Sequence, residues 1–183
     1  MKFFTSSAKK QPRRKVEAVF LVLSYSTTGG NGVKKSRPTP TENRMSIELL
    51  NPDNTTIELI QEIFEQAYMD ATLDEEKRQI RLREEGVIAR AYLSESKERL
   101  QLYALYGIKE EAQRAERLEL ANRINENYVL IRAGIDDDGD LWFDYCVLLK
   151  GGVTRKAIVQ ATRIFMMLFP KAVNECDDES IVE

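Results

Sequence analysis

The chain has 183 residues, of which 43% are hydrophobic and 31% are charged, and its net charge at pH 7 is −3. This length and composition predict one globular domain with its own core. The sequence contains no histidine, which excludes histidine-based acid–base catalysis, Ser-His and Cys-His nucleophile pairs, and zinc sites with histidine ligands.

Charge is distributed unevenly along the chain. Residues 1–45 hold ten Lys and Arg against two Glu, a net of +8, whereas the remaining residues hold 17 basic and 28 acidic side chains, a net of −11. We interpret residues 1–45 as a basic, disordered leader followed by a Gly- and Pro-containing linker. An acidic domain repels phosphates, so we do not expect the folded body to bind nucleic acid.

Two segments of the leader have alternative interpretations. The apolar run 16–25 is compatible with a targeting peptide, with a strand or helix laid on the domain, or with sequence upstream of a start at Met45, although Glu17 interrupts it. Residues 27–36, TTGGNGVKKS, share glycines and lysines with phosphate-binding loops. They lack the contiguous Gly-Lys-Ser/Thr of that motif, so we do not expect nucleotide binding there.

The folded domain is predicted over residues 46–174, and residues 175–183 form an acidic tail that we expect to be frayed. Thr55 and Thr56 can cap a first helix that ends near Met69. Three segments with alternating apolar residues then follow on short turns. They predict an antiparallel meander over residues 77–84, 87–93 and 99–107.

A second helix and a hairpin are predicted next. Helical periodicity runs over residues 109–126, and strands 128–135 and 141–149 flank the acidic turn 136–140. Gly139 in this turn can adopt positive φ. The spacing of the acids does not match a calcium-binding loop, so we interpret the turn as an ordinary hairpin and predict no metal site.

The last helix is predicted to begin after Thr154, a natural N-cap, and to end at Pro170. No apolar run approaches the roughly 20 residues of a membrane-spanning helix, so we expect no membrane partner. The two cysteines show neither disulfide nor metal spacing, and we expect Cys146 to be a small core residue in a reducing compartment.

The second half of the sequence resembles the YbjN family. The resemblance rests on asparagines near the end of the second helix and on three motifs: Arg-Ala-Gly-Ile at 132–135, Asp-Asp-Asp-Gly-Asp-Leu at 136–141, and Leu-Lys-Gly-Gly-Val-Thr at 149–154. It spans roughly residues 55–173. The resemblance implies a bacterial regulator of sensory transduction with an α+β fold, ordered α-β-β-β-α-β-β-α and similar to type III secretion chaperones. Such chaperone-like domains are commonly dimers that bind other proteins.

Two segments carry more apolar surface than the core of one small domain requires. Strand 141–149 is apolar on both faces, and residues 165–169 of the last helix are five consecutive apolar side chains. We therefore predict a homodimer or partner-binding surface on one of these segments. The alternative is that both segments are ordinary core. The candidate surface residues are Trp142, Tyr145, Leu148, Met166 and Met167.

The leading functional hypothesis is a non-enzymatic, cytoplasmic protein-interaction or regulatory module, without catalytic residues or a cofactor, whose protein partner the sequence does not name. One alternative is a small enzyme that uses surface carboxylates, which a pair of acids buried in one cleft would favour. A second alternative is nucleic-acid binding through the basic leader. An affinity for nucleic acid that falls steeply with salt concentration would favour this alternative.

Overall fold

Three helices pack on one face of a six-stranded antiparallel sheet in the computed structural model, which describes residues 49–183. In chain order the elements are α1 (Ile57–Gln66), β1 (Asp70–Asp74), β2 (Gln79–Glu84), β3 (Val87–Leu93), β4 (Arg99–Tyr106), α2 (Arg114–Asn127), β5 (Arg132–Ile135), β6 (Leu141–Leu148) and α3 (Arg155–Cys176). The predicted α+β class with an antiparallel sheet is confirmed. The basic leader, its apolar run and the phosphate-loop-like segment lie outside the described residues.

The sheet is assembled around the pairing of β4 with β6. The strand order is β1-β2-β3-β4-β6-β5, so the first four strands form a meander and the β5–β6 hairpin joins it through β6. This pairing extends over eight residue pairs, from Arg99 opposite Leu148 to Tyr106 opposite Leu141. Helix α2 lies between β4 and the hairpin in the chain, and it packs mainly on β5.

The core lies between the sheet and the helices. Alternate residues of the central strands, including Leu82, Leu102 and Phe143, are fully buried on the helix side. Helix α3 contributes Phe165 and Phe169, whose ring centroids are 5.0 Å apart, and the Phe169 ring lies 5.8 Å from that of Phe143. Because each such side chain contributes roughly 1.5–3 kcal/mol on burial, this aromatic cluster is a main source of stability.

The sheet contains one strand more than the sequence predicts. In β1 only Ala71 and Leu73 point toward the core, while Asp70, Thr72 and Asp74 are exposed. A short, acidic strand at a sheet edge discourages pairing with other chains. Its alternation rests on only two apolar residues, one of them a small alanine, and aspartate is depleted in strands, so the sequence signal is weak. The opposite edge strand, β5, is shorter than predicted because the chain pairs with β6 only from Arg132 onward.

Helix α3 does not end at Pro170, so the predicted end is wrong. The helix continues to Cys176, and Thr154 caps its beginning by accepting a hydrogen bond from the backbone N–H of Ala157 at 3.1 Å. A proline inside a helix removes one backbone hydrogen bond. Burial of Ala172 and Cys176 in the last turns offsets that loss.

The tail after α3 is ordered against the domain, so the expectation of a frayed tail is also wrong. Ile181 is buried, and its carbonyl accepts a hydrogen bond from the backbone N–H of Lys109 at 2.9 Å. The Asp177 carboxylate accepts hydrogen bonds from the backbone N–H groups of Ile181 and Val182, both at 2.9 Å. Asp177 therefore fixes a turn that returns an apolar side chain to the core.

Docking of the tail is tested by Ile181→Ala. Removing a buried isoleucine side chain is expected to lower the free energy of unfolding by about 2 kcal/mol or more, measured by urea denaturation. The control is Val129→Ala, because Val129 is 98% exposed and its truncation should change stability by less than about 0.5 kcal/mol. Equal stabilities of the two variants would contradict a docked tail.

Candidate functional site

The face of the sheet opposite the helices, termed the outer face, is the candidate site. Within residues 49–183 the three helices pack against the other face, and alternate residues of β2, β3, β4 and β6 are exposed or half-buried on the outer face. Strand registers place five side chains in one row across it: Arg81, Arg90, Tyr103, Asp144 and Arg132.

Asp144 is the one acid that interrupts the outer face of β6, and two partners satisfy it. Its Oδ1 accepts from Nε of Arg132 at 3.0 Å, its Oδ2 accepts from the Arg132 Nη2, and Nε2 of Gln101 donates to Oδ2 at 3.2 Å. The hydrogen bond to Asp144 raises the pKa of the Arg132 guanidinium. A satisfied carboxylate can be covered by a partner at a lower desolvation cost than an unpaired one.

Trp142 lies flat against β5. Gly134 is its cross-strand partner, and a Cβ at position 134 would lie only 2.3 Å from Cζ2 of the indole, so the glycine makes room for the ring. The Arg132 guanidinium carbon lies 5.1 Å from the ring centroid, which is cation–π distance. Leu105 is opposite Trp142 on β4. Ile88, Leu105 and Trp142 are termed the apolar patch.

The structure distributes the five predicted surface residues over three locations. Trp142 and Leu148 lie on the outer face, near opposite ends of β6, and Leu148 is 66% exposed. Tyr145 is half-buried on the helix side, and Met166, at 4% exposure, is packed in the core. Met167 is 61% exposed on α3. Because α3 packs on the opposite face of the sheet, Met167 shares no surface with Trp142.

Other outer-face residues were missed by the sequence analysis. Cys146, expected in the core, is exposed, whereas Cys176 is buried. Tyr92 and Tyr103 are half-buried on the outer face, and burial raises the pKa of both phenols. The sequence contained the signal, because large apolar or aromatic side chains occupy the polar-side positions of β3 and β4, namely Ile88, Tyr92, Tyr103 and Leu105.

The described residues offer groups for binding rather than a buried acid pair. Between residues 49 and 183 the buried polar residues are Thr55 and Thr162, and each hydroxyl donates to a backbone carbonyl of the preceding turn. The same part of the chain contains no group of three side chains placed to hold a metal ion. It also contains no helix with the length and apolarity to cross a bilayer. The acidic turn is a hairpin closed by hydrogen bonds between Asp136 and Asp140.

The chain belongs to the YbjN family, described as "Putative bacterial sensory transduction regulator", which it matches over residues 56–178. The family resemblance predicted from the sequence is thereby confirmed. Among curated proteins, none matches this sequence.

Solved structures show a similar fold. YbjN from E. coli matches with a TM-score of 0.61 at 15% identity, over 73% of this chain and 98% of that chain. An uncharacterized protein from Methanothermobacter thermautotrophicus matches with a TM-score of 0.50 at 7% identity, over 67% and 96% of the two chains. The Yersinia pestis type III secretion chaperone SycH, in complex with a fragment of YscM2, matches with a TM-score of 0.45 at 12% identity, over 65% and 98%. The first two similarities support the fold alone.

The position of the indole is tested by Gly134→Ala. The added methyl group must displace Trp142 from β5 and from Arg132, so the fluorescence of this single tryptophan should shift to longer wavelength. Loss of the cation–π contact should lower the free energy of unfolding by about 1 kcal/mol. Thr72→Ala, on the same face but on β1, serves as the control. An unchanged emission spectrum in Gly134→Ala would show that the ring does not lie on β5.

Proposed function

We propose that this member of the YbjN family is a regulatory module that acts by binding other proteins, works in the bacterial cytoplasm and catalyses no reaction. The observation that carries the proposal is the outer face, where exposed apolar side chains occupy β6 and its neighbours without a covering helix among the described residues. Contiguous exposed apolar surface of this kind marks interaction sites. Among residues 49–183 no pair of carboxylates is buried in one cleft, which favours a non-enzymatic module over a carboxylate enzyme.

The proposal includes a homodimer formed through the outer face of β6. A two-fold contact places the same patch of both copies face to face. The apolar patches of two copies can contact each other without charge repulsion, because Arg132 neutralises the adjacent Asp144 in each copy. A specific contact buries about 800 Å² on each partner, so the interface must extend along β6 from Trp142 to Leu148.

Self-association is tested by light scattering over a dilution series. The wild-type mass is expected to fall from dimer to monomer on dilution. Leu148→Glu should raise the dissociation constant at least tenfold, because it replaces an apolar contact with a charged side chain that must lose its hydration. Met167→Glu places the same charge on α3 and should leave the constant unchanged. A monomeric mass at every concentration would exclude the dimer. Loss of the dimer in Met167→Glu alone would place the contact on α3.

Binding of a different protein is tested by affinity capture with the full-length chain, followed by calorimetry with the purified captured protein. Burial of the apolar patch should give a negative heat-capacity change on binding. Leu105→Glu should weaken this binding, whereas Met167→Glu, which places the same charge on α3, should bind as wild type does. If wild type and Leu105→Glu capture the same proteins and bind them with equal affinity, the outer face is not the binding surface.

A further inference from the structure

A second part of the outer face carries two neighbouring arginines. Arg81 on β2 and Arg90 on β3 are direct cross-strand partners, and both are exposed. Like charges in directly opposed positions destabilise a sheet. Neither arginine forms an ion pair with the acids of residues 49–183. A repulsive pair that is left unneutralised lowers stability, and binding of an anion would relieve it.

Two tyrosines adjoin these arginines. Tyr103 is the cross-strand partner of Arg90, and Tyr92 is two residues from Arg90 on the same face of β3. A shallow groove crosses β1 to β4 at this point. We call it the Arg-Tyr groove. Its defining residues are Lys77, Gln79, Arg81, Arg90, Tyr92 and Tyr103, and Asp74 lines its β1 end.

We propose that the Arg-Tyr groove binds single-stranded nucleic acid. Arg81, Arg90 and Lys77 contact phosphates, and bases stack on the exposed parts of Tyr92 and Tyr103. This combination of a cationic groove with aromatic side chains is how sheet surfaces bind single strands without sequence preference. Strands are about 4.8 Å apart, so the groove across β1 to β4 has room for only a few nucleotides.

A few acids lie near the groove: Asp74 lines its β1 end, Asp70 is opposite Arg83, and Asp136 and Asp140 of the hairpin turn act on Tyr103. The negative charge of the folded domain does not prevent this binding, because its acids are concentrated elsewhere. Most of them are on the exposed sides of α1 and α2, in the turns and in the tail. On the outer face of β2, β3 and β4 the charged side chains are all arginines, and Asp144 on β6 is paired with Arg132. A phosphate in the groove therefore meets positive charge at contact distance, where attraction is least screened.

An acidic protein segment is the competing ligand, since it would also neutralise the arginines. The two tyrosines favour nucleic acid, because every base has a π-face that stacks on an aromatic ring, whereas Asp and Glu side chains have none. The two ligands are separated by experiment, using an oligouridylate and an oligoglutamate of equal charge.

The experiment measures the fluorescence anisotropy of labelled oligouridylate with the full-length chain. Because the basic leader can also bind phosphates, all proteins carry serine in place of the ten Lys and Arg of residues 1–45. Three phosphate contacts predict that log K falls with log salt at a slope of roughly −2. Arg81→Ala combined with Arg90→Ala should weaken binding at least tenfold and lower that slope to roughly −0.7.

Stacking is tested separately by Tyr103→Leu, which keeps an apolar side chain but removes the ring and should weaken binding at least fivefold. The matched charge control is Arg114→Ala on α2, which should bind as the parent does. Removing the repulsive arginine pair should not destabilise the fold, and circular dichroism checks this. Parent-like affinity in both groove variants overturns the proposal, as does binding of oligoglutamate but not of oligouridylate.

Discussion

The eight-residue pairing of β4 with β6 determines both faces of this domain. Side chains alternate along a strand, so the register that buries Leu102 and Phe143 against α3 also places Tyr103 and Asp144 on the outer face. A slip of one residue would expose the core and bury the charges. The hydrophobic core therefore fixes the register, and through it the arrangement of the outer face that we propose as the binding surface.

Arg132 separates the two parts of that surface. Asp144 lies one strand beyond Tyr103, in the same row as Arg90, and it could otherwise attract a cation from the groove. The guanidinium of Arg132 occupies its carboxylate and at the same time stacks on Trp142. One side chain thus neutralises the acid, holds the indole on β5 and leaves Arg90 without a carboxylate partner. This edge-strand arginine is therefore central to both proposed binding activities.

Much of the fold could be predicted from the sequence, because apolar alternation and helix caps are local signals. The meander, the hairpin turn at Gly139 and the cap at Thr154 follow from such signals. The last turns of α3 beyond Pro170 and the docking of Ile181 depend on contacts with distant residues, so no local pattern predicts them. The candidate surface was predicted only in part. Exposure of Leu148 and burial of Met166 depend on which face of the sheet the helices cover, and this is set by tertiary packing.

Summed charge is a poor guide to the ligands of a sheet, and β2 shows why. In this strand Ile80 and Leu82 point to the core, so Arg81 and Arg83 are both directed to the outer face. Alternation thus concentrates the positive charge of a strand on one surface, while acids in helices and turns dominate the total. Attraction at contact distance depends on the charges that a ligand touches, because water and salt screen the more distant acids. The residues that follow the leader have a net charge of −11, and the domain they form can still present a cationic face.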